Sequence, residues 1–87
     1  MKKFTIKQDY ELEKLCKDKH ITRAYLTDDH EEYKITKMVF YSFKGKIGEL
    51  VIQEGPKGCH IVLITVYDND LVRVLETIDE LKDWISN

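Results

Sequence analysis

Residues 59–85 constrain the fold more than any other stretch of the chain. Cys-His-Ile-Val-Leu-Ile-Thr-Val-Tyr, beginning at Cys59, is nearly all apolar and rich in β-branched side chains, the composition of a strand buried on both faces. Asp68-Asn69-Asp70 supplies turn chemistry, and Leu71-Val72-Arg73-Val74-Leu75 resumes the β-prone pattern. Thr77-Ile78-Asp79-Glu80 then has the spacing of a capping box, opening a helix that runs through Trp84 and Ile85. The order strand, turn, strand, helix implies an α+β domain. A single amphipathic helix over residues 70–86 competes with it, since Leu71, Val74, Leu75, Ile78, Leu81 and Ile85 also obey helical spacing. Val72, Val74 and the cap at Thr77 favour the strand.

Upstream, Phe4 and Ile6 alternate with polar neighbours as in a short strand, and Asp9 is a plausible N-cap for a helix over residues 10–19 with Leu12, Leu15 and Cys16 on one face. Residues 21–27 alternate as a strand with Ala24 and Leu26 toward the core, and Asp28-Asp29-His30-Glu31 reads as a polar turn. Residues 33–43 place Tyr33, Ile35, Val39, Tyr41 and Phe43 in one alternation and Met38 and Phe40 in the other, so a bulge between Ile35 and Val39 is expected. Lys44-Gly45-Lys46 and Gly55-Pro56-Lys57-Gly58 are hairpin turns on either side of a strand in which Leu50 and Ile52 share a face.

Short loops between successive strands specify an antiparallel sheet. The expected fold is therefore one domain over residues 1–87: a single meander sheet of four to six strands, a short helix near each chain end, and one face covered by helix. Its core should join Leu50, Ile52, Ile61 and Leu63 to Leu12, Leu15, Leu81 and Ile85. With 87 residues there is no room for a second core.

Charge is laid out unevenly. The net charge is −2, but residues 1–46 are net basic and residues 47–87 hold eight acids against three bases. This balance favours basic protein partners and disfavours nucleic acid. Met1-Lys2-Lys3 resembles a signal-peptide start, yet Thr5, Lys7, Gln8 and Asp9 interrupt any apolar segment. No apolar run approaches the roughly 20 residues of a membrane span, and two cysteines do not make a disulfide framework. A cytoplasmic protein is expected.

Chemistry-bearing patterns are sparse. Cys16 and His20 stand four apart in the first helix, but Cys59 and His60 are adjacent in a strand and point to opposite faces, so no metal site is expected. No nucleophile–base signature, phosphate-binding loop or dinucleotide fingerprint occurs, and neither enzyme activity nor a cofactor is expected. The candidate partner-binding residues are the acidic loop Asp28, Asp29, Glu31 and Glu32, the helical acids Asp79, Glu80 and Asp83, and Trp84 as an apolar anchor.

In overall character, a short, acidic-leaning α+β meander is similar to small phage or mobile-element inhibitors, anti-CRISPR proteins among them, which occlude a nucleic-acid-handling enzyme by surface contact. The resemblance implies a non-enzymatic protein-binding module that inhibits or modulates a host protein. Two alternatives stand beside it. One is a small structural or regulatory protein that homodimerises through a sheet edge or its last helix. The other is a nucleic-acid binder using Lys44, Lys46 and the aromatics of residues 40–46.

Overall fold

The computed structural model describes residues 2–87; Met1, the first residue of the basic start, lies outside them. Helix α1 (Ile6–Asp18) is followed by strands β1 (Thr22–Asp29), β2 (Lys34–Ser42), β3 (Gly45–Gly55), β4 (Gly58–Asp68) and β5 (Leu71–Leu75), and the chain closes with helix α2 (Ile78–Ser86). The strands form one antiparallel sheet in sequence order, as a meander requires. Residues 71–75 are strand, which settles the competition at the C-terminal end in favour of strand followed by helix.

Both helices pack on the same face. Leu12 and Cys16 of α1, with Ile78, Leu81 and Ile85 of α2, share one buried cluster with Met38, Phe40, Leu50, Ile52, Ile61, Ile64, Val66 and Leu75 of the strands. Leu15 and Trp84 are half-buried at its margin, and Lys82 of α2 reaches Glu11 of α1 at 3.4 Å.

Local chemistry sets the helix ends. α1 begins four residues earlier than the Asp9 cap predicts, because Thr5 is the N-cap: its hydroxyl accepts from the Gln8 N–H, and the Gln8 side chain accepts from the Thr5 N–H. Ile6 is consequently helical and exposed rather than a strand residue. The helix closes in a Schellman motif: His20 takes φ 58°, the Ile21 N–H donates to the Cys16 carbonyl at 2.8 Å, and the His20 N–H donates to Lys17 at 3.2 Å. For α2, the Thr77 hydroxyl accepts from the Glu80 N–H at 3.1 Å as expected. The Glu80 carboxylate, however, meets the N–H of Glu76 at 3.5 Å instead of returning to Thr77.

Two bulges set which side chains face the helices. The first lies at Phe40/Tyr41 opposite the extra residue Ile47, not between Ile35 and Val39, so residues 34–40 alternate without interruption. The second inserts Val62: Ile52 pairs with Ile61, while Val51 pairs with Leu63. An extra residue reverses the alternation. Ile61 and Ile64 therefore both enter the core, and Leu63 turns to the opposite face, where it is 43% exposed. The expectation that Leu63 is a core residue fails for this reason, as does that of a strand buried on both faces.

Between β3 and β4, Gly58 takes φ 109°, a conformation that L side chains rarely adopt. Residues 2–4 also join the sheet. Phe4 N–H donates to the Cys59 carbonyl and Ile61 N–H to the Lys2 carbonyl, at 2.9 and 2.7 Å, along the part of β4 that β5 does not reach.

Candidate interaction surface

Neither helix covers the second face of the sheet. The register places Ala24, Val39, Glu49, Thr65 and Val74 in one row across all five strands, and Leu26, Lys37, Val51 and Leu63 in the next. A third row carries Tyr41, Tyr67 and Val72. Most of these side chains are open: Leu26 is 65% exposed and Val72 and Val74 each 64%. Val39 and Thr65 are buried, but Val39 does not belong to the helix-side cluster. They flank Glu49, which pairs with Lys46, and the Lys46 ammonium lies 5.4 Å from the Tyr67 ring centre. The hydrogen bond to Glu49, above all, raises the Lys46 pKa. Lys37 stands among Leu26, Val51 and Leu63 with no carboxylate within 4 Å among the described residues.

At normal strand spacing and rise, this face spans on the order of 400 Å². That matches the largest surface patch of an ordinary small monomer, which is often functional, and here Lys37, Lys46 and Glu49 interrupt the apolar side chains.

The expected burial of Ala24 and Leu26 is reversed, because Arg23 and Tyr25 take the helix side of β1. Arg23 occupies the helix side of β1, where it meets Asp9 of α1 at 2.8 Å and Glu13 at 3.6 Å. Its alternation partners Ala24 and Leu26 must then face outward. The guanidinium also lies 5.7 Å from the Tyr25 ring centre.

The acidic residues fall into two separate groups. Asp28 and Asp29 end β1 rather than forming a turn, and Glu31 and Glu32 occupy the connection to β2, where His30 stacks on Tyr33 and meets Asp28 at 3.5 Å. This group borders the open face, since Asp28 pairs with Ile35 in the same alternation as Leu26. Asp79, Glu80 and Asp83 lie on α2, on the other side of the sheet, and Asp79 is 3.8 Å from Lys82. Trp84 lines a groove of 530 Å³ with Phe43, Ile47 and Arg73, near the C-terminal end of α2.

The aromatics of residues 40–46 do not share a surface. Phe40 is in the helix-side core, Tyr41 is on the open face, and Phe43 is 94% exposed at the β2–β3 turn beside Lys44. Sequence alternation foreshadows the first two placements.

Among the described residues, no three His, Cys, Asp or Glu side chains are grouped as metal ligands. Cys16 points into the core, and His20 lies beyond the last turn of α1, so the helical spacing between them does not hold. Burial raises the Cys16 thiol pKa against the opposing pull of Arg23; burial, then Glu54 and Asp9, raises that of Cys59. Both thiols are thus held away from the reactive thiolate. Cys59 lines a groove of 280 Å³ beside α1 with Phe4, Tyr25, Met38 and Ile52. The acids at its rim are paired, Asp9 with Arg23 and Glu54 with Lys34. No described helix is long and apolar enough to cross a membrane.

Comparison with known protein families, with curated proteins and with solved structures finds no match to this chain.

Proposed function

We propose that this protein is a non-enzymatic protein-binding module that inhibits or modulates a larger protein by covering part of its surface. The uncovered apolar face of the sheet carries this reading. Leu26, Leu63, Val72 and Val74 keep between 43% and 65% of their surface in water, and a partner that covers them recovers about 25 cal/mol per Å² of that apolar area.

Charge describes the partner. A second copy laid face to face would bring two Lys37 ammonium groups into an apolar contact without counter-charges. A larger partner fits better, with an apolar surface, a carboxylate to meet Lys37, and basic groups at the border formed by Asp28, Asp29, Glu31 and Glu32. The acids of α2 face away from this contact and play no part in it.

A photo-reactive side chain at position 63, compared with one at Tyr10 on the exposed side of α1, tests the proposal in extracts of the source cells. A discrete adduct from position 63 alone is expected, competed by excess unlabelled protein and not by Leu63→Lys/Val74→Lys. Adducts from position 10 alone, or undiminished competition by the double variant, would overturn the open-face reading.

A further inference from the structure

β1 is an edge strand of eight residues, and it pairs only with β2. Along its outer side, no backbone group of residues 22–29 bonds to other backbone among the described residues. Proteins blunt such edges with short strands, lysines, prolines, bulges, inward-pointing charges or a covering element. The opposite edge strand, β5, has five residues and carries Arg73. β1 has one inward-pointing charge, Arg23, turned onto α1; along Ala24-Tyr25-Leu26-Thr27 it carries no charge, proline or bulge, and its register with β2 is unbroken.

The flanks of this edge have opposite charge. Lys17, Asp18 and Lys19 precede it with a net charge of +1, and Asp28, Asp29, Glu31 and Glu32 end or follow it. Lys19 has no carboxylate within 4 Å, and Asp29, Glu31 and Glu32 have no cation within that distance, among the described residues. A strand with a basic start and an acidic end is the electrostatic complement of its own antiparallel copy. A parallel copy would place like charges together.

We infer that a second copy of this chain pairs antiparallel with β1 about a two-fold axis near Tyr25. The pairing forms a continuous ten-stranded sheet. Backbone hydrogen bonds along residues 22–28 hold the dimer, and Leu26, which is 65% exposed, gains cross-strand neighbours near the axis. At each end, Lys19 of one copy stands opposite position 31 of the other, with Glu31 and Asp29 both within reach of its long side chain. The two open faces then lie side by side on the same side of the enlarged sheet, so this inference stands apart from the proposed partner contact.

Sedimentation equilibrium on the full chain is the test. A dimer of the 10.3 kDa chain is expected, weakening as salt is raised. Lys19→Glu and Asp29→Lys should each loosen it about tenfold, because each replaces two attractions by two repulsions. The double variant Lys19→Glu/Asp29→Lys, which exchanges the charges at both ends, should restore it. Leu63→Lys should leave it unchanged. A protein that stays monomeric to about 1 mM would overturn the inference. So would a dimer that ignores the charge exchange, and one lost in Leu63→Lys would move the interface to the open face.

Discussion

The two faces of the sheet come from the same strands yet are built differently. The helix side carries large apolar side chains such as Met38, Phe40, Leu50 and Ile64, and each of them is 1% exposed or less. The open side mixes Leu26, Val51, Leu63, Val72 and Val74 with Lys37, Glu49, Tyr41 and Tyr67. Leu26, Leu63, Val72 and Val74 each keep 43% or more of their surface in water. Burial, and with it most of the hydrophobic stabilisation, is concentrated on the helix side.

That contrast breaks most readily by matched truncation. Leu50→Ala should cost about 2–5 kcal/mol in denaturant melts, and Leu63→Ala less than about 1 kcal/mol, since only the first leaves a cavity. Equal losses would mean that the open face is covered in solution. Gly48→Ala comes next, at about 1–3 kcal/mol. A Cβ there would stand 2.8 Å from the Thr65 carbonyl oxygen, where β3 and β4 approach too closely for a side chain. No loss would show that the strands separate easily.

Thr77→Ala should destabilise by about 1 kcal/mol through the lost helix cap, while Glu80→Ala should cost less, given its longer bond to Glu76. The smallest effect concerns alkaline pH. The Cys16 pKa is raised in the folded state, so the unfolded chain loses its proton first. Its contribution is complete below the ordinary thiol range and is lost as pH rises above about 9. Cys16→Ala should flatten this part of the pH–stability curve, and thiol reagents should modify half-buried Cys59 before Cys16.

Strand order, hairpin turns, and both helices are legible in the sequence because each rests on local chemistry: turn residues at 55–58, the Thr77 cap and the helical spacing of Leu12 and Cys16. Facing is less legible. One inserted residue at Val62 turns Leu63 outward, and a bulge leaves little mark in a run of uniformly β-prone residues. Arg23 likewise reads as a surface cation until α1 brings Asp9 and Glu13 over it. Thr5 and Gln8 did hold a readable capping-box pattern, which the apolar alternation of Phe4 and Ile6 obscured. The open face needed the register of all five strands, for no single segment shows that its outward residues adjoin.

The outer side of β4 is completed by two pieces of chain of very different origin. β5 arrives by a tight turn in which Asn69 takes φ 58°, so this pairing closes almost as soon as β4 exists. Lys3 meets His60 only after most of the chain has been placed between them. Closing so large a loop is entropically slower than making any of the hairpins. Residues 2–4 are therefore expected to pair last in folding and to release first when the molecule opens locally, which early hydrogen exchange at the Phe4 and Ile61 amides would show. Because α1 follows directly from that clasp, its release would loosen the cover over Leu50 and Phe40 while the meander stayed paired.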